Sequence, residues 1–152
     1  MLRDLNGIPL IVRTYQSVIS TGLFDDVIVV TDSDEIIQVL SKNKIKFLRS
    51  TKDHNTGTDR IAEFANKITS DIVINIQGDE PFISKNDLIK IINEFKNDVN
   101  KNINVVSLMI KLTKVDEINN PNNVKVVVDN NKDSILFSIS IIPFIREHFK
   151  PD

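Results

Sequence analysis

Apolar side chains recur along this chain with two different periods, and the balance between them shifts near residue 100. Between residues 8 and 21, Ile8, Ile11, Tyr15, Val18 and Ile19 fall at helical spacing, which gathers them on one face. Pro9 stands near the start, where a missing N–H is tolerated, and Gly22 ends the run. Val27 to Val30 predicts a short strand that ends at Thr31-Asp32. Ser33 caps a helix that opens on acidic residues and carries Ile36, Ile37 and Leu40. Ile45 to Leu48 predicts a second strand. A polar loop, RSTKDHNTGTD, leads into a helix with Ile61, Ala65 and Ile68 on one face. Residues 72 to 76 predict a third strand. Ser84 then caps a helix bearing Leu88, Ile92 and Phe95, with Asp87 where a capping-box acid would stand.

Alternation of strand and helix up to residue 97 predicts βαβ units and a mostly parallel sheet, an α/β fold. The pattern then changes. NVVSLMIKL (104 to 112), VKVVVD (124 to 129) and SILFSISI (134 to 141) read as strands, with Asn130-Asn131-Lys132-Asp133 as the hairpin turn between the last two. The expected organisation is one domain, with residues 1–100 as a βα part and 101–152 as a strand-rich part. The first predicted element is a helix. A doubly wound sheet begins with a strand near its middle, and without it inner strands show unpaired edges. The expectation is therefore a domain that lacks its opening strand.

Composition narrows the class of function. The chain has 152 residues, 41% hydrophobic and 26% charged, with a net charge of -2. This is an ordinary soluble composition with no basic surplus for nucleic acid or membrane. It has no cysteine, which excludes disulfides, thiolate zinc sites and a cysteine nucleophile. No apolar run approaches the roughly 20 residues of a membrane span, and the N-terminus lacks the apolar core of a signal peptide. The expected address is cytoplasmic.

Two segments carry candidate chemistry. In DIVINIQGDEPFIS, residues 71 to 84, an apolar strand stops at Gln77-Gly78-Asp79-Glu80-Pro81. Ligands of open α/β sheets bind beyond the carboxyl ends of strands, and Mg2+ is held there by one or two carboxylates plus substrate phosphates. Asp79 is the candidate metal ligand; Glu80 ranks behind it, because adjacent residues rarely both point into one site. The bland alternative is that both carboxylates merely terminate the strand, although Ser84 already caps the next helix. In DHNTGTDR, residues 53 to 60, Thr56, Gly57 and Thr58 precede a helix whose free N–H groups favour an anion. Arg60 is placed to fork onto a phosphate or carboxylate. Here the alternative is a simple N-cap with a surface arginine. For Asp32 the preferred reading is part of a cap with Ser33 and Asp34; for His54 it is a loop hydrogen bond. No GxSxG, GxGxxG or GxxxxGK[ST] string is present.

The strings LRDLNGIPLIVRTYQ, VIVVTDSDEI, DHNTGTDRIAE, VINIQGDEPFI, NPNNVKVVVD and LFSISIIPF, in this order and spacing, resemble the 3-deoxy-manno-octulosonate cytidylyltransferase family. The resemblance spans nearly the whole chain. It implies a Rossmann-like nucleotidyltransferase three-layer fold, a homodimer, and transfer of CMP from CTP to 3-deoxy-manno-octulosonate (Kdo) with Mg2+, for lipopolysaccharide synthesis. It implies Asp79 as the Mg2+ ligand, Gln77 facing the sugar acid, and Thr56, Gly57, Thr58 and Arg60 lining the nucleotide and sugar side. It also implies departures. The family's opening strand and RxPGKP-type loop are expected ahead of Met1, and a second metal-binding Asp and a sugar-binding His after Asp152. Ser138-Ile139 stands where Ser-Arg is usual, and Thr56 replaces a usual Ser. The expectation is a fragment lacking both ends, impaired in catalysis by itself. The alternatives are a cytidylyltransferase for another acidic sugar, such as an acylneuraminate, and a non-catalytic dimerising remnant.

Overall fold

α1 (Leu10–Ser20) follows from the apolar spacing of its segment: Ile11, Val12 and Val18 are buried along it. Pro9 precedes it with extended backbone, and Gly22 leaves it at φ +64, a left-handed conformation open to glycine at little cost. In this computed structural model, which describes residues 1–143, the chain divides into two compact units, Met1–Val106 and Ser107–Asp152.

In the first unit, β1 (Val29–Thr31) pairs in parallel with β2 (Phe47–Arg49), in the register Val29 to Phe47, Val30 to Leu48 and Thr31 to Arg49. Between them runs α2 (Asp34–Lys42). Ser33 caps α2 as its position predicts, its Oγ accepting from Ile36 N at 3.4 Å. Ile11, Val12, Leu40 and Ile45 form the buried core cluster, with Tyr15, Val29, Ile36 and Phe47 packed against it. This is the βαβ arrangement the alternation implied, with α1 and α2 sharing that core.

The segment after β2 departs from expectation. The single helix bearing Ile61, Ala65 and Ile68 is instead a six-residue α3 (Gly57–Ala62) and a separate 3-10 turn (Ala65–Lys67). The break has a tertiary cause. Glu63 is held by Ser50 and His54, and Phe64 is buried, which overrides the helical register. Residues 72 to 76 are not in a β-ladder either. They keep the alternating exposure of a strand, with Ile72, Ile74 and Ile76 half-buried and Val73 and Asn75 exposed. Their backbone groups bond to no described residue. Apolar alternation records which side chains are buried; a strand also needs a neighbour, and none of the described residues pairs here. α4 (Lys85–Asn97) follows, capped by Ser84, whose Oγ accepts from Asp87 N at 3.3 Å. Asp87 is drawn to Lys90 at 2.7 Å.

The second unit contains α5 (Val115–Asn119), which the sequence pattern did not predict, and the antiparallel pair β3 (Lys125–Val128) and β4 (Ser134–Ser138). The predicted strand at 104 to 112 forms no ladder among the described residues. The hairpin turn stands as predicted: Asp129 Oδ1 accepts from Asn131 N at 2.8 Å and Asp133 N at 2.9 Å, and Lys132 takes φ +71. These side-chain bonds replace the backbone bonds lost where the chain reverses.

Candidate functional site

Alternation along residues 72 to 77 sends Asn75 and Gln77 to the same face. On that face lies the start of α3. Asn75 Nδ2 donates to Thr58 Oγ1 at 3.0 Å, and Gln77 Nε2 donates to Asn75 Oδ1 at 3.4 Å. The Gln77 amide also lies over Gly57: a carbon built on its Cα would stand 3.4 Å from Gln77 Oε1. The two motifs singled out in the sequence therefore meet at one place. Asn75, which the sequence reading passed over, is the joint; its signal is its even spacing from Gln77 on a predicted strand.

Thr56 caps α3, with Oγ1 accepting from Asp59 N at 3.1 Å and donating to Asp59 Oδ2 at 2.7 Å. The N–H groups of Gly57 and Thr58 bond to no described residue, so they remain open. Arg60 turns the other way. Its Nη2 donates to Asp32 Oδ2 at 2.9 Å, while its Nε is buried without a partner. Asp32 is thus a partner for Arg60, and the cap it was expected to share is made by Ser33 alone. The pair is partly exposed, and such pairs contribute about 0–1 kcal/mol.

Asp79 sits in a turn closed by Glu80 N donating to Gln77 O at 3.1 Å. The Gly78 carbonyl accepts from the buried Thr14 hydroxyl at 2.8 Å, which fastens the turn to α1. Gly78 is required for closeness: a carbon on its Cα would lie 2.8 Å from Ile11 Cδ1. Asp79 is exposed and joins none of the ion pairs among the described residues. Its oxygens are open to a ligand. No group of three or more His, Cys, Asp or Glu among the described residues could hold a metal by itself. Asp79 by itself offers one carboxylate, the kind of donor a hard cation takes alongside phosphate oxygens and water.

Behind α3 lies a second polar cluster that sequence reasoning missed. Glu63 Oε2 accepts from Ser50 Oγ at 2.5 Å and contacts His54 Nε2 at 2.9 Å, and Glu63 Oε1 accepts from Thr51 Oγ1 at 3.3 Å. The Ser50 hydroxyl, then the His54 contact, hold the Glu63 carboxyl at about 2, below its ordinary 4.5. These bonds tie the loop ahead of Thr56 to the end of α3. His54 is the loop hydrogen-bonding residue it was expected to be.

The profile of the cytidylyltransferase family matches residues 1–151. This chain belongs to the cytidylyltransferase family. It is 50% identical over 147 residues to the 3-deoxy-manno-octulosonate cytidylyltransferase of Flavobacterium johnsoniae, covering 97% of this chain and 60% of that protein. It is 43% identical to the enzyme of the same name from Christiangramia forsetii, covering 97% and 59%. Among solved structures, a CMP:2-keto-3-deoxy-manno-octonic acid synthetase complexed with CTP superposes with a TM-score of 0.79 at 31% identity, covering 95% of this chain and 59% of that one. The fold is therefore that of a nucleotidyltransferase of this family, and the chain spans about 60% of the length of the curated relatives it matches.

Proposed function

We propose that this chain belongs to a cytidylyltransferase that couples CTP to Kdo, giving CMP-Kdo and pyrophosphate. One observation carries the reading: the Gln77 side chain lies on Gly57, which brings the Asp79 turn and the open N–H groups of Gly57 and Thr58 to one place. The relatives named for this reaction support the choice of substrates.

In this reading the anomeric hydroxyl of Kdo attacks the α-phosphorus of CTP and pyrophosphate leaves. Such a transfer is accelerated by holding the two anions in line and by offsetting their charge. The Gly57 and Thr58 amides donate to substrate oxygens. Gln77, fixed by Asn75, presents its amide to the sugar acid. Arg60 of α3 is paired with Asp32 and would meet a substrate anion only by sharing its guanidinium between the two. Asp79 would hold Mg2+, which supplies charge neutralisation at the phosphates when bound. The enzyme acts in the cytoplasm, with its nucleotide substrate, and as a homodimer. Support for the dimer comes from the hairpin of the second unit, where Ile135, Leu136 and Phe137 are exposed.

The test is a chimaera in which residues 1–151 replace the matching part of the Flavobacterium johnsoniae enzyme, assayed for pyrophosphate release from CTP and Kdo. The chimaera is expected to turn over, and Asp79→Asn within it to lose at least about a hundredfold in kcat. A folded chimaera without turnover, or full activity in Asp79→Asn, refutes the assignment.

A further inference from the structure

Asn75 bonds to both candidate motifs at once. Its Nδ2 donates to Thr58 Oγ1 at 3.0 Å, and its Oδ1 accepts from Gln77 Nε2 at 3.4 Å. A carboxamide has one donating nitrogen and one accepting oxygen. Spending each on a different neighbour fixes the polarity of both. Thr58 Oγ1 is used as an acceptor, so its hydroxyl hydrogen is left to give. Gln77 is held with its nitrogen towards Asn75, so the second hydrogen on Nε2 is left to give, while Oε1 lies over Gly57. Among the described residues, neither the Thr58 hydroxyl nor Gln77 Nε2 donates to any other side chain. Asn75, Thr58 and Gln77 are all exposed, so these two remaining hydrogens are open to a ligand. The half-burial of Ile74 and Ile76 on the opposite face holds Asn75 and Gln77 outward.

We propose that Asn75 is a positioning residue that determines specificity: it sets Thr58 and Gln77 as a pair of donors, so that this face takes a carboxylate and rejects the matching neutral amide. The inference rests on the reading that Gln77 faces an acidic sugar, and it names the atom-level basis of that preference. A carboxylate holds two acceptor oxygens side by side, one for each donor, and hydrogen bonds to an ionised acceptor are about twice as strong as neutral ones. A carboxamide in the same place turns its NH2 towards one of the two donors, and that donor loses its partner. The residue type at position 75 matters for this. Aspartate would accept from both neighbours and take up the Thr58 hydrogen. An apolar side chain would leave Thr58 and Gln77 free to turn either way. A plain mechanical tie between residues 72 to 77 and α3 would hold the segments together but carry no preference between an acid and its amide.

The experiment uses the chimaera described above, with Kdo and the carboxamide of Kdo as alternative substrates. The readout is the ratio of kcat/KM for the acid to kcat/KM for the amide. Asn75→Leu is expected to lower that ratio by about tenfold, the worth of one hydrogen bond to a charged group. Thr58→Val is expected to lower it as well, and by less when residue 75 is already substituted, because Asn75 acts through Thr58. Asn75→Asp keeps the shape of the side chain and covers the case in which Asn75→Leu does not fold; it must lower the ratio too. A merely structural role slows both substrates alike and leaves the ratio unchanged, and that result overturns the proposal. Strict multiplication of the Asn75→Leu and Thr58→Val effects also overturns it. A folded parent chimaera without turnover overturns the reaction assignment and this inference with it, whereas turnover with an unchanged ratio overturns this inference alone.

Discussion

Gly78 is the point at which the candidate metal-binding turn touches the core, and Gly78→Ala measures that contact. The added carbon would stand 2.8 Å from Ile11 Cδ1 and 3.0 Å from Met1 Sδ. Gly78 is not among the glycines with positive φ, so the cost comes from packing and not from backbone conformation. The methionine thioether swings aside at little cost. Ile11 does not, because it is 6% exposed and belongs to the central cluster with Val12, Leu40 and Ile45. Overpacking a filled site of this kind costs about 1–3 kcal/mol. Ile11→Val removes the clashing methyl and costs about 0.5–1.5 kcal/mol by itself. If the clash with Cδ1 is the cause, the double variant must be less destabilised than the sum of the two single ones, by about 1 kcal/mol. Urea unfolding followed by far-UV circular dichroism reads all four corners of the cycle. Strict additivity, or a Gly78→Ala variant within about 0.3 kcal/mol of the parent, refutes the reasoning.

The remaining predictions concern the supports of the site. Glu63, held at about 2 by Ser50 and His54, favours the folded state fully above its ordinary value of 4.5, and that contribution is lost as pH falls through about 2. Denaturant midpoints measured from about pH 5 down to about pH 2 should fall with pH in the parent and fall less steeply in Glu63→Gln; equal slopes would sink the assignment. Ser84→Ala removes the cap of the thirteen-residue α4 and should cost about 1 kcal/mol in the same unfolding assay, with Ser84→Asp restoring it; a neutral Ser84→Ala would show that the cap bond carries nothing.

Much of this architecture was written in short-range pattern. Ser33 and Ser84 cap helices because a hydroxyl reaches an N–H three residues on, a relation the sequence displays directly. The 129–133 turn is equally local. The Asn6-Gly7 turn is local too, with both residues at positive φ and Gly7 N donating to Asp4 Oδ1 at 2.7 Å. What escaped sequence reasoning was long-range. Glu63 is drawn to Ser50, thirteen residues back, and that pull ends α3 where periodicity continues it. Asp32 reaches Arg60 across 28 residues, although its own neighbourhood reads as a cap.

Residues 72 to 76 show why an apolar alternation and a strand are different statements. Ile72, Ile74 and Ile76 turn inward and Asn75 and Gln77 outward, as a strand requires, and that geometry alone is enough to bring Gln77 over Gly57 and Asn75 to Thr58. The site therefore assembles without the ladder. Its rigidity does not follow so readily. Among the described residues this backbone has no hydrogen-bonded strand neighbour, and it is held by side-chain burial on one face, by the Asn75–Thr58 bond and by the Thr14 hydroxyl on the Gly78 carbonyl. In the proposed reaction the rate comes from fixed placement, so how firmly these contacts hold residues 72 to 78 also sets how firmly Asp79 is aimed.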